Sequence, residues 1–192
     1  VVCLFGDLGV GKTTFVRDVL PDARYLTFDD PLLRDFARQD PKGLLDSAPE
    51  QRVILDEIQY APDILPFVKM RIDQEHLPGK WILTGSQQFH LMSRVSETLA
   101  GRIAILELPP FSVEEIRTEK AGATGTAAAT APDLVTTIWN GLFPDPALHP
   151  EKRDIWVRSY LQTYLERDVR SLANIQNLQA FETFVRLCAA HH

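Results

Sequence analysis

The first fourteen residues, Val1-Val2-Cys3-Leu4-Phe5-Gly6-Asp7-Leu8-Gly9-Val10-Gly11-Lys12-Thr13-Thr14, constrain this chain more than any later stretch. An apolar run leads into a turn short of bulky side chains and then into a helix start, which is the order a phosphate-binding loop needs. The spacing Gly6-x-x-x-x-Gly11-Lys12-Thr13 is a Walker A motif. A loop of this kind curls around the β- and γ-phosphates so that backbone N–H groups and the helix N-terminus face the negative charge. Lys12 supplies a mobile cation for the β/γ oxygens, and the Thr13 hydroxyl is placed for Mg²⁺. Gly6, Gly9, Val10, Gly11, Lys12, Thr13 and Thr14 are therefore expected to bind the nucleotide. The competing reading is a flexible glycine turn; the apolar run before it, and Phe15, Val16, Val19 and Leu20 at helical spacing after it, weigh against that.

With 192 residues, 45% of them hydrophobic, the chain can bury one sizeable α/β core and a small appendage. A formal charge of −6 does not suggest a surface made to hold nucleic acid, although a local basic patch is compatible with it. Cys3 and Cys188 have no CxxC or His cluster beside them and read as reduced structural thiols of a cytoplasmic protein. Neither a transmembrane run nor a signal peptide is visible, so no membrane partner is expected. The chain begins inside a strand and ends in His191-His192, which reads as a fragment with a tag remnant.

The second landmark is Val53-Ile54-Leu55-Asp56-Glu57, a continuous apolar strand ending in two carboxylates. Downstream of a Walker A loop this is a Walker B pattern rather than a strand running out into a solvated acidic turn. Asp56 should hold Mg²⁺ opposite Thr13, and Glu57 should act as general base on the attacking water. The guanine signature Asn-Lys-x-Asp is absent, which favours ATP. Trp81-Ile82-Leu83-Thr84-Gly85-Ser86 is another apolar strand that turns hydroxylic at its C-terminal end. Thr84 and Ser86 are both candidates for sensing the γ-phosphate, with a plain strand-ending turn the alternative for either.

Between these landmarks, strands and helices alternate. Arg24–Phe28 reads as a strand, Leu32, Leu33, Phe36 and Ala37 as one face of a helix, and Asp40-Pro41-Lys42-Gly43 as its break. Ile64, Leu65, Phe67, Val68 and Ile72 form the inner face of a further helix, and Phe89–Ala100 reads as a helix before the strand Ile103–Leu108. Arg102, at the entry to that strand, is either a surface arginine at a helix end or a group that points at a neighbouring subunit's γ-phosphate. Ser112 and Glu115 cap a new helix. Ala121–Ala131 is Ala/Gly/Thr-rich and reads as a loop or linker. Glu151–Arg170 is the longest amphipathic stretch, with Ile155, Trp156, Tyr160, Leu161, Tyr164, Leu165 and Val169 repeating every three or four residues. Its aromatics read as core packing. Arg158 or Arg167 could serve as a second sensor. Three parts are expected: an ATPase core over 1–116, a loop-rich connection over 117–150, and a helical segment over 151–192 leading to a truncated C-terminal domain.

Taken in order, these motifs resemble one family. They are Val10-Gly11-Lys12-Thr13-Thr14, Leu55-Asp56-Glu57-Ile58-Gln59-x-x-Pro62, Leu83-Thr84-Gly85-Ser86, Ser96-Glu97-Thr98-Leu99-Ala100-Gly101-Arg102, Leu108-x-Pro110-Phe111-Ser112-x-Glu114-Glu115, Gly141-x-Phe143-Pro144 and Tyr160-x-x-Thr163-Tyr164-Leu165-Glu166-Arg167-Asp168-Val169. The chain resembles prokaryotic AAA+ ATPases whose core is followed by a C-terminal domain of unknown function. The resemblance implies a three-layer α/β P-loop NTPase with a parallel sheet in the order 5-1-4-3-2 and a helical lid-like segment. It also implies sensor 1 at the Thr84-Gly85-Ser86 end and Arg102 as arginine finger. The full-length protein would be a homo-oligomer, with DNA a candidate partner of the missing C-terminal domain. One departure is Asp7-Leu8-Gly9, where such proteins often carry Pro-Arg-Gln.

The expected function is Mg²⁺-dependent ATP binding and hydrolysis coupled to a partner or assembly. The alternatives are an ATP-gated scaffold with negligible turnover, a nucleic-acid-dependent ATPase, and a small-molecule kinase.

Overall fold

The computed structural model describes residues 1–47, 51–86, 95, 97–117, 134–164 and 177–191. Part of the helix expected over Phe89–Ala100, the Ala121–Ala131 loop, and Leu165, Arg167 and Val169 lie outside these residues. The chain divides into two compact units, Val1–Pro109 and Pro110–His192.

The first unit is built on a five-stranded parallel sheet: β1 (Val2–Phe5), β2 (Arg24–Thr27), β3 (Val53–Asp56), β4 (Trp81–Gly85) and β5 (Ala104–Glu107). Its order is β2-β3-β4-β1-β5, which is 5-1-4-3-2 read from the other edge, as expected. The three inner strands are continuous apolar runs because both of their faces are covered. β3 and β4 are buried throughout. β5 is an edge strand and is exposed along its length, with Ile105 and Leu106 about half accessible.

Two clusters cover the two faces. On one, Leu4, Ile54 and Ile82 pack under Val16 of α1 (Lys12–Val19), with Leu20, Ala23, Tyr25 and Leu108 at the margin. On the other, Cys3, Phe5, Val53, Leu55, Trp81 and Leu83 pack with residues of α2 (Pro31–Gln39), α3 (Pro41–Asp46) and α4 (Leu65–Glu75). Full burial of each such aliphatic side chain is worth about 1.5–3 kcal/mol, so these two layers hold the sheet. Of the four apolar residues expected to anchor α1, Val16 alone is fully buried. Phe15 and Val19 point outward, at 47% and 58% exposure. A helix this short can turn only a narrow stripe onto the sheet.

Asp40-Pro41 does more than break a helix. The Asp40 carboxylate accepts from the Gly43 N–H at 2.8 Å and caps α3, whose first residue is Pro41. Proline at that position loses no hydrogen bond and has its φ already set.

The second unit opens with Ser112 and Glu115 reciprocally bonded as a capping box, at 2.7 and 3.2 Å. These backbone and hydroxyl contacts hold the Glu115 carboxyl below its usual range. It continues through α5 (Leu134–Asn140), α6 (Pro144–Leu148), α7 (Arg153–Tyr164) and α8 (Leu178–Ala190). Trp156, Tyr160 and Tyr164 stack along α7 with Phe143 against the first two, ring centroids 4.8–5.9 Å apart. The rings meet at the expected repeat, but no described residue of α7 is buried, so they pack on one another at the surface rather than in a core. A helix with few apolar neighbours leaves its stripe half exposed. Ile155 departs from the repeat, at 75% exposure. Among the described residues, no helix is long and apolar enough to cross a membrane.

Candidate nucleotide site

Parallel pairing puts the C-terminal ends of all five strands at one sheet edge, and the glycine loop leaves β1 there. Three glycines make the loop's path feasible. Gly9 and Gly11 hold φ of 83° and 90°, the left-handed region that side chains disfavour. A Cβ on Gly6 would strike the Leu108 carbonyl oxygen just past β5. Val10 is buried and pins the loop to the core, while Thr14 is exposed on the first turn of α1. Lys12 is 5% exposed. Its Nζ donates to the carbonyl oxygens of Gly6 at 2.9 Å and Asp7 at 2.8 Å, so the ammonium sits inside the loop. Asp7, the first of the three residues at which the loop departs from the resembled family, is exposed, which keeps its carboxylate solvated.

The strand register assembles the rest. Leu4 lies opposite Thr84, and Thr27 opposite Asp56, while β3 and β4 run in step through Leu55 and Leu83. Asp56 and Thr84 are therefore neighbours on the α1 face. Asp56, 2% exposed, accepts from three hydroxyls. Thr13 Oγ1 reaches Oδ1 and Oδ2 at 3.3 and 3.1 Å, Thr84 Oγ1 donates to Oδ1, and Tyr25 Oη donates to Oδ2 at 2.5 Å. The Tyr25 phenol is pushed up to about 12, by burial first and then by its hydrogen bond to Asp56.

This donor set fits Mg²⁺. One carboxylate and one hydroxyl are hard oxygen ligands, and Mg²⁺ takes few protein ligands because it keeps waters and substrate phosphates around it. Among the described residues no cluster of three or more His, Cys, Asp or Glu could hold a metal ion, so a metal needing several protein anions finds no such set there.

Ser86, at the end of β4, is 4% exposed, and its Oγ has no hydrogen-bond partner among the described residues. A buried hydroxyl left unpaired costs about 1–3 kcal/mol. Thr84, by contrast, is fully engaged with Asp56. Glu57 follows Asp56 in a left-handed conformation, φ 55° and ψ 47°, and the Gln59 amide donates to its Oε2. For a glutamate such a backbone costs on the order of 1 kcal/mol.

Arg102 stands apart from this group. Its carbonyl accepts from the Val1 amino group at 3.0 Å, and Ala104 N–H donates to the Val1 carbonyl at 2.9 Å. That is the N-terminal edge of the sheet, a strand length of roughly 13 Å from the loop. Its Nε pairs with Asp73 Oδ1 at 2.5 Å. Arg158 is exposed in the second unit.

The residues Gly6–Thr14 and Val53–Glu57 that form this site fall inside residues 1–117, which match the family model described as AAA domain. The chain belongs to this AAA domain family. Residues 131–192 match a second model, a domain of unknown function, so an AAA domain is followed by an uncharacterised one, as the resemblance implied. Two curated relatives, uncharacterized proteins of Mycobacterium tuberculosis and Mycobacterium bovis, are each 31% identical over 175 residues. The match takes in 90% of this AAA chain and 36% of each relative, so the chain spans little more than a third of their length. Among solved structures, a signal-transduction ATPase with a tetratricopeptide-repeat sensor from Pyrococcus horikoshii matches 66% of this chain and 23% of its own. Its 12% identity and TM-score of 0.42 are too slight to carry an argument.

Sequence reasoning did not single out Tyr25 or give Gln59 a role. Tyr25 reads as one β-former among several in its strand, and only pairing with β3 brings its hydroxyl to Asp56. Gln59 lies two residues past the acidic pair, where a left-handed Glu57 folds the amide back, a turn with no glycine to announce it.

Proposed function

We propose that this AAA domain binds and hydrolyses ATP with Mg²⁺ and couples its nucleotide state to a partner or assembly. The observation that carries the reading is the convergence of Thr13, Asp56 and Thr84 beneath a glycine loop that encloses Lys12. Lys12 and the loop amides bind the phosphates. Thr13 and Asp56 hold Mg²⁺, which when bound offsets charge on the β/γ oxygens. Glu57 accepts a proton from water as the water oxygen bonds to the γ-phosphorus and the bond to the β–γ bridging oxygen breaks, releasing ADP. Ser86, whose hydroxyl is unpaired among the described residues, orients the γ-phosphate, and Thr84 positions Asp56. Arg102 lies too far from its own loop to act there, so it serves a neighbouring protomer in a homo-oligomer after leaving Asp73. The compartment is the cytoplasm, and DNA is a partner for the rest of a longer protein.

Lys12→Ala tests the reading. Its Mg-ATP dissociation constant, by calorimetric titration, should rise at least about tenfold, the worth of one charge-assisted hydrogen bond. Unchanged affinity would refute it. A second reading, an ATP-gated switch with little turnover, draws on the tie between Gln59 and the Glu57 carboxylate. It predicts tight binding with turnover that Gln59→Ala releases.

A further inference from the structure

The proposed reaction gives Tyr25 no task, yet its hydroxyl makes a short contact, 2.5 Å, with Asp56. Three features set the contact. Tyr25 shares a sheet face with Asp56, because Tyr25 and Ile54 are register partners and Asp56 lies two residues beyond Ile54. The Arg17 guanidinium on α1 lies over the phenol ring, 5.0 Å from its centroid, and fixes the ring from above. The same ring walls a cavity of about 470 Å³ between α1 and β2 that also touches Thr13, Thr14 and Asp18. Tyr25 and Thr13 both line this cavity and both bond Asp56, which does not line it.

We infer that Tyr25 is a positioning residue for the metal site, holding Asp56 Oδ2 by its phenol O–H so that the carboxylate stays turned toward Thr13. The inference rests on the Mg-nucleotide reading. A carboxylate free to rotate would lose the Thr13 hydroxyl and spend its lone pairs on water from the cavity. Outer partners of metal ligands commonly carry ten- to a hundredfold of metal affinity, order of magnitude. Tyr25→Phe removes the hydroxyl alone and keeps the ring under Arg17.

The test compares affinities for a fluorescent, non-hydrolysable ATP analogue in excess Mg²⁺ and in excess EDTA, for the wild type, Tyr25→Phe and Asp56→Asn. The ratio of the two affinities is the gain due to the metal. In Tyr25→Phe this gain should shrink on the order of tenfold, with the EDTA affinity unchanged and Asp56→Asn showing almost none. A gain equal to wild type would overturn the role of Tyr25 and leave the nucleotide site standing. Equal losses with and without metal would overturn it too, since they would mark a merely structural tyrosine. A wild type that binds no nucleotide, or that shows no gain from Mg²⁺, would overturn both this inference and the reading beneath it.

Discussion

Two hydroxyls at the end of β4 lie in opposite situations. Thr84 spends its proton on Asp56, whereas Ser86 is buried with no partner among the described residues. From sequence the two are equivalent, because the pattern Thr-Gly-Ser contains no information about which side chain the neighbouring strand will engage. The register answers that by setting Thr84 beside Asp56. Ser86→Ala should leave Mg-ATP affinity within about threefold and slow turnover on the order of a hundredfold, the scale of a lost transition-state donor. It should also leave stability equal or slightly raised, because a desolvated hydroxyl is removed. Thr84→Val should instead weaken the Mg²⁺ dependence of binding. Steady-state kinetics beside equilibrium binding and urea unfolding separates the two. The loop and the acidic strand were readable because their spacing carries their chemistry. Tyr25 was not, since its contact is made across strands.

At the scale of elements, the strands were the most legible part, because a parallel sheet buried on both faces demands continuous apolar runs such as Val53-Ile54-Leu55. Helix faces were less so. Phe15 and Val19 fit a helical period and still face outward, since periodicity marks a stripe without saying how much of it a short helix can cover. Asp40-Pro41 shows the same limit at a boundary, because residues that end one helix are also good ones to start the next. Asp40→Ala should destabilise the fold by about 1 kcal/mol through loss of the cap on α3, with nucleotide affinity unchanged, as measured by chemical denaturation and titration. Full stability in that variant would mean that the Gly43 N–H has an equally good partner in water.

At the scale of the molecule, the chain accounts for 36% of its mycobacterial relatives' length, and the proposed role of Arg102, which pairs with Asp73 at the far sheet edge, requires a second copy of the chain. Glu57→Gln and Arg102→Ala proteins, each inactive alone, should regain turnover when mixed, since a mixed pair holds one intact composite site. Mixing without recovery would remove Arg102 from the mechanism. Beneath assembly lies the claim that this site hydrolyses ATP at all, and one comparison addresses it directly. Phosphate release is measured for wild type and Glu57→Gln at matched occupancy with Mg-ATP. The account predicts equal binding and a loss of hydrolysis on the order of a hundredfold or more in the variant. Equal rates in the two proteins, or a wild type that binds Mg-ATP and releases no phosphate at any protein concentration, would contradict it.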